Sequence, residues 1–218
     1  MPRDLALALA VTCALAGNVA AAIAMLVSHD AWLRISEVAS LTVDAVVDMR
    51  NAADPVLRGV SVFLPRANTG LRHAVRLESP EIAALLVAWR DACAQIGVAR
   101  LFPQQSALRS ALAHSLHLLG AGGPLWETRG LHFVWHSFRH GGASRAFLAG
   151  REMSEIIVRG RWAAESSARH YVQAGRQLLL ALALPPSIAA LAARVERAGL
   201  LVLLAPDLLA RLRAVPVA

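Results

Sequence analysis

Lysine is missing from this chain: all 22 of its Lys/Arg positions are arginine. Its positive charge, a formal +7 with a sequence pI of about 11.2, is therefore carried by planar guanidinium forks. These pair bidentately with phosphate, whereas an ammonium is a point charge with a titratable proton. Tyrosine is nearly missing too, with a single copy at Tyr171. Cysteine occurs only as Cys13 and Cys93, with no Cys-x-x-Cys, which excludes a disulfide framework and a zinc ribbon and makes a reducing compartment the expectation. Charge is missing from residues 5–27, a run long enough to span a bilayer or, behind Met-Pro-Arg, to mimic a signal peptide. Gly17 and Asn18 split that run into two helix-sized pieces, and its many alanines keep the hydrophobicity per residue low. A buried helix pair with no membrane contact is the expectation, and a membrane-anchored segment is the alternative.

The 218 residues, 56% of them hydrophobic with a mean hydropathy of +0.49, suffice for one ordinary domain, alone or with a small appendage. The basic balance favours an anionic partner. Ala, Arg, Leu, Gly and Pro are abundant together, as in a GC-rich coding sequence, so composition alone does not point to nucleic acid. Periodicity and turn signals predict helices over 19–28 and 36–41, then strands over 43–49, 60–64 and 73–77 separated by Asn/Asp/Pro and Asn-Thr-Gly turns. Ser79-Pro80-Glu81 opens a helix that Gly97 closes, with serine placed to cap and proline in the first turn. Further helices are expected over 106–119, 136–149, 152–159, 165–172, 187–198 and 207–214, with a glycine-rich loop over 120–130. The expected class is α+β, mostly helical with one small three-stranded antiparallel sheet.

Tyr171 lies nine residues beyond Trp162 and thirty-two beyond Arg139. His136 and Arg139, three apart, share a helical face, so an imidazole and a guanidinium can converge on one phosphate. With Arg34 near the N-terminus, these groups and one hydroxyl make a candidate phosphodiester site. Gly141 and Gly142 cost that helix about 1 kcal/mol each relative to alanine, which either close backbone packing or close ligand approach would explain. His132, His136 and His140 recur every four residues, and His114 and His117 form a His-x-x-His, but no carboxylate or cysteine completes a ligand set, so no metal is expected. Trp89, Trp126 and Trp135 read as core or loop packing.

The order and spacing of these motifs resemble the catalytic domain of the tyrosine recombinases, the phage-integrase family, over most of residues 20–175. Trp32-Leu33-Arg34-Ile35-Ser36-Glu37, followed by Leu41-Thr42, is similar to the family's first-arginine turn. His136-Ser137-Phe138-Arg139-His140, trailed by Leu148-Ala149-Gly150, matches its His-x-x-Arg-His cluster. Gly160-Arg161-Trp162 is an altered Gly-Trp pair, and Leu101-Phe102-Pro103 resembles the entry to the following helix.

The resemblance implies a DNA strand transferase: Tyr171 attacks a scissile phosphate to leave a 3′-phosphotyrosyl bond and a free 5′ hydroxyl, with no ATP, metal or other cofactor. It assigns Arg34 and Arg139 to the non-bridging oxygens, His136 to proton transfer or a phosphate contact, and Trp162 to packing and an indole N–H. Glu37 and His140 support them. The family lysine in the turn between the second and third strands falls on Asn68, which cannot donate a proton to the leaving oxygen. Arg66, Arg72 and Arg76 on the same hairpin are DNA-backbone candidates or a solvated edge, the two readings being equally open. Residues 1–178 are expected to form the catalytic domain, with the family's N-terminal DNA-clamping domain absent or truncated, and 179–218 an apolar helical tail. Double-stranded DNA and other copies of the chain are the expected partners, in the nucleoid-bearing cytoplasm of a bacterium or the nucleus of a eukaryote. Site-specific recombination or integration is the leading function. A catalytically impaired DNA-binding remnant of a mobile element, motivated by Asn68 and the missing clamp, is the first alternative, and DNA relaxation in the manner of a type IB topoisomerase is the second.

Overall fold

A computed structural model describes residues 1–64, 73–121 and 132–214. The uncharged N-terminal run folds as two helices, α1 (Arg3–Leu15) and α2 (Val19–Asp30). Gly17, at φ +83°, makes the reversal between them, a conformation glycine adopts without steric cost. Leu5, Leu7, Leu9 and Val11 of α1 and Ile23, Met25 and Val27 of α2 are all fully or almost fully buried. The expected helix pair is therefore the centre of the core, and among the described residues no single helix is long and apolar enough to cross a membrane.

A short helix, α3 (Ile35–Ala39), leads into a three-stranded antiparallel sheet of β1 (Val46–Asp48), β2 (Val60–Leu64) and β3 (His73–Arg76), in the order β1-β2-β3. The register pairs Val46 with Val62, Val62 with Val75, and Leu64 with His73. Period-two alternation buries Val60, Val62, Leu64 and Val75 while Phe63, Ala74 and Arg76 face outward. The first strand is shorter than its valines suggest, because residues 43–45 form a 3-10 turn. There the Val43 N–H donates to the Ala99 carbonyl at 2.9 Å and the Leu101 N–H to the Leu41 carbonyl at 3.0 Å, so this stretch pairs with residues near 100 instead of with β2.

Helix α4 (Pro80–Gln95) begins as expected, with Ser79 Oγ accepting from the Ile82 N–H at 3.3 Å and proline in the first turn. It is followed by α5 (Gln105–Leu118) and α6 (His136–Leu148), with residues 122–131, including Trp126 and most of the expected glycine loop, outside the described residues. Helix α6 packs against α2 and against the N-terminal residue Met1, and its two glycines are explained by those approaches. A Cβ on Gly141 would lie 2.1 Å from the Met1 carbonyl oxygen, and one on Gly142 would lie 2.2 Å from that of His29. Close backbone packing, one of the two explanations left open, accounts for both.

The chain continues through α7 (Met153–Gly160), α8 (Glu165–Tyr171), α9 (Ala174–Leu182), α10 (Pro186–Ala198) and α11 (Leu208–Ala214). Helix α9 had no counterpart in the sequence reading, and the expected division at 178/179 falls inside it. Ile188, Ala192 and Val195 of α10 and Leu200 and Leu203 beyond it are buried in the same core as α1 and α2.

Candidate active site

The site is built on an unusual turn. Trp32 has φ +52°, a left-handed conformation that costs a side-chain-bearing residue about 1–2 kcal/mol. Its indole is 1% exposed and lies 6.1 Å, centroid to centroid, from that of Trp162. Burying an aromatic ring of that size offsets the backbone strain. The turn presents the Trp32 carbonyl to two arginines: Arg139 Nη1 donates to it at 2.6 Å and Arg161 Nη2 at 3.2 Å. Two residues on, Arg34 caps α3. Its backbone N–H donates to Glu37 Oε2 at 2.7 Å and its Nη1 to Glu37 Oε1 at 2.9 Å.

Glu37 is the common counter-ion of the site. Besides Arg34 it accepts from Arg161 Nη2 at 2.8 Å and lies 4.0 Å from Arg139 Nη1. Burial works against its charge, but Arg161, the Arg34 N–H and the other guanidinia outweigh that, and its carboxyl is held below the ordinary value. Arg139 is fully buried beneath the site. It also donates through Nη2 to the Gly160 carbonyl, and its guanidinium lies 4.6 Å from the Trp162 ring centroid and 5.4 Å from that of Tyr171. Burial first, and then Arg34 and Arg161, lower its pKa to about 9. A guanidinium so enclosed holds carbonyls and rings and has no contact with solvent.

Gly160 ends α7 and is close to mandatory, since a Cβ there would lie 1.8 Å from Trp162 Cζ3. The next residue, Arg161, takes φ +56° at the helix C-terminus, a place glycine usually fills. That turn swings the Arg161 guanidinium onto Glu37 and drops the Trp162 indole into a pocket where it is 8% exposed. Trp162 Nε1 is buried with no hydrogen-bond partner in the protein. Arg161 is the residue the sequence reading passed over. The signal was the extra basic residue inserted between Gly160 and Trp162.

Tyr171 sits at the end of α8 among aromatic rings. Its hydroxyl is 2.7 Å from His136 Nε2. Its ring stacks on His140, with centroids 4.5 Å apart and planes 21° apart, and tilts against Trp162 at 4.9 Å. The Ser144 hydroxyl, 3.2 Å from the Tyr171 carbonyl, also accepts from the Gln173 N–H at 2.9 Å, tying the end of α8 to α6. Burial first, then Arg139 and Arg34, lower the His136 pKa. Burial above all takes His140 down to about 4. At neutral pH both imidazoles are therefore uncharged, and His136 Nε2 can accept the phenolic proton.

Arg34, Arg161, Trp162 and Tyr171 line an open cleft of about 820 Å³, together with His170 and, from the start of β3, His73. Thus Arg34, Glu37, His136, Arg139, His140, Trp162 and Tyr171, spread over more than 130 residues, are brought together. Arg76 is exposed on the outer face of the sheet, where it donates to the carbonyls of Val56 and Arg58. Arg66, Asn68 and Arg72 lie outside the described residues. His114 and His117 are exposed on α5, Trp135 is buried, and Trp89 donates to the Leu101 carbonyl at 2.9 Å. Among the described residues, no three His, Cys, Asp or Glu side chains converge as a metal-binding group.

The fold is similar to that of a tyrosine recombinase. The protein superimposes on the crystal structure of XerA recombinase with a TM-score of 0.62, over 85% of this chain and 65% of that one, at 15% sequence identity. It thus spans about two thirds of the length of that structure, and the likeness is one of architecture: a mostly helical body carrying a small three-stranded antiparallel sheet. No family model and no curated protein matches the sequence.

Proposed function

We propose that this protein is a recombinase-like DNA strand transferase that cuts and rejoins DNA through a covalent bond to Tyr171. The observation that carries the reading is the phenolic hydroxyl 2.7 Å from His136 Nε2, at the edge of a cleft that Arg34 and Arg161 make positive. His136, half-buried beside two guanidinia and so uncharged, takes the tyrosine proton as the oxygen attacks phosphorus. Arg34, 37% exposed and held by Glu37, is placed to neutralise a non-bridging oxygen as charge builds on it. Arg139 fixes the Trp32 and Gly160 carbonyls beneath and comes into play as Tyr171 moves toward the DNA. The phosphotyrosyl ester conserves the energy of the broken bond, so the 5′ hydroxyl, or one from another strand, can reverse the step without ATP. Site-specific recombination or integration on double-stranded DNA, by several copies of the chain together, is the finer reading.

A catalytically silent DNA-binding remnant is the second reading, favoured by the complete burial of Arg139 and by the absence of any lysine. The two separate in one experiment. Supercoiled plasmid is incubated with the wild-type chain or Tyr171→Phe, quenched in detergent, and protein-linked DNA is captured on a filter. Linked DNA with the wild type alone supports the strand transferase. Retention of plasmid before the quench, with no linked DNA after it, identifies the remnant. Relaxed topoisomers accumulating without recombinant products would narrow the activity to topoisomerase-type relaxation.

A further inference from the structure

The proposed attack on phosphorus has two ends, and the groups around Tyr171 account for one of them. In-line displacement places the entering and leaving oxygens on opposite sides of phosphorus. His136 faces the entering phenol, so a donor to the leaving 5′ oxygen has to come from another wall of the cleft. The leaving alkoxide is strongly basic, and its departure is slow unless a proton reaches it as the bond breaks.

The described residues of the cleft offer few such donors. Arg34 and Arg161 are both engaged by the Glu37 carboxylate. Aliphatic hydroxyls such as that of Ser167 are no more acidic than the leaving group. His170 neighbours Tyr171 on α8, its ring centroid 6.0 Å from the phenol's, and so belongs to the entering side. His73 alone comes from a different element. Its pairing with Leu64 and the alternation of β3 set it on the same side of the sheet as Val75, turned toward the body of the protein and away from the solvent face of Ala74 and Arg76. There it is half-buried, and it lines both the Tyr171 cleft and an adjoining one of about 540 Å³ whose lining includes Arg151, Glu155 and Arg159.

We infer that His73 is the general acid for the leaving 5′ oxygen, a catalytic assignment that rests on the strand-transfer reading above. In the step, the Tyr171 O–H proton passes to His136 Nε2 and the phenolic oxygen bonds to phosphorus. The bond from phosphorus to the 5′ oxygen breaks, and its electron pair takes a proton from the imidazolium of His73, leaving neutral imidazole. Rejoining runs the same transfers backward, with His73 then acting as base toward the attacking 5′ hydroxyl. Imidazole suits both directions because a ring nitrogen can give up a proton and take it back.

The test uses a pool of nicked duplexes randomised around one fixed phosphate, made with either oxygen or sulfur at the bridging 5′ position. A thiolate leaves without protonation, so sulfur removes the need for an acid while leaving every other requirement in place. His73→Gln is expected to form the covalent adduct at least about tenfold more slowly than the wild type on the oxygen substrate, and at the wild-type rate on the sulfur substrate. Adduct formation on sulfur also certifies that the variant is folded. Equal slowing on both substrates, or no slowing on either, would overturn the assignment. Failure of the wild type to form an adduct with either pool refutes the strand-transfer reading itself, and this assignment with it.

Discussion

Glu37→Gln is expected to lower stability by about 3 kcal/mol. The carboxylate meets three guanidinia, and the three contacts differ in weight. The Arg34 pair is 37% exposed on the arginine side, so water screens it and its share is below about 1 kcal/mol. Arg161 and Arg139 are 5% and 0% exposed, and removing the partner of a buried charge typically costs about 3–5 kcal/mol. Glutamine keeps one oxygen to accept from either Arg34 or Arg161. Its NH₂ then faces the other donor, so part of the cost is retained and part becomes donor against donor. With a urea slope of about 2–3 kcal/mol/M, the midpoint should fall by about 1 M at unchanged slope. The pH dependence gives a second signature. Because Glu37's carboxyl is held below its ordinary value in the fold, its contribution is fully present above that value and is lost as the pH falls through the folded one. The gap between wild type and Glu37→Gln should therefore narrow on acidification below about pH 4.5. A midpoint change worth under about 0.5 kcal/mol at neutral pH, or a gap that widens in acid, would refute the view of Glu37 as the counter-ion of the buried arginines.

Three further outcomes follow from the geometry. Gly142→Ala should lower the melting temperature, losing about 1–3 kcal/mol to overpacking, since its Cβ would meet the His29 carbonyl oxygen at 2.2 Å. Gly175→Ala, with nothing within 4 Å, should be neutral or slightly stabilising, and equal effects at the two positions would contradict the packing of α6 on α2. His29 and His140 are lowered to about 3 and about 4, chiefly by burial, so they are neutral in the fold and take up protons on unfolding. Stability should be full above about pH 6.5 and decline from there toward about pH 3, and a urea midpoint flat between about pH 7 and pH 4 would count against their burial. Tyr171→Phe keeps the stack on His140 and Trp162 and loses only the bond to His136, so its stability should stay within about 1 kcal/mol of wild type in the same urea titration. A collapse of that variant would mean that the hydroxyl chiefly holds the fold together.

How much of this was legible in the sequence varied with the distance over which the cause acts. Local signals read well: the Ser79-Pro80 cap, the break at Gly17, and the valine alternation of β2 all act within a few residues. The strand expected over 43–49 lost its first half because Val43 bonds to Ala99, a partner that periodicity does not reveal. Helix α9 went unread, and three of its leucines, Leu178, Leu179 and Leu182, are exposed. Arg34, His136, Arg139, Trp162 and Tyr171 were legible as a spaced set and do come together. Arg161 was not, since its importance lies in a left-handed turn that carries it to Glu37, 124 residues away in sequence. The burial of Arg139 was hidden for the same reason, as the carbonyls that hold it belong to Trp32 and Gly160. Asn68 and the arginines at 66 and 72 lie outside the described residues.

The claim on which the rest depends is that Tyr171 becomes covalently bonded to DNA. Detergent-quenched complexes of the wild-type chain with plasmid, digested with nuclease and protease and analysed by tandem mass spectrometry, test it directly. The account predicts a nucleotide-bearing peptide whose modified residue is Tyr171, linked through a 3′ phosphate and missing from Tyr171→Phe. A nucleotide on a serine or histidine instead, a 5′ linkage, or an adduct that persists in Tyr171→Phe would contradict it.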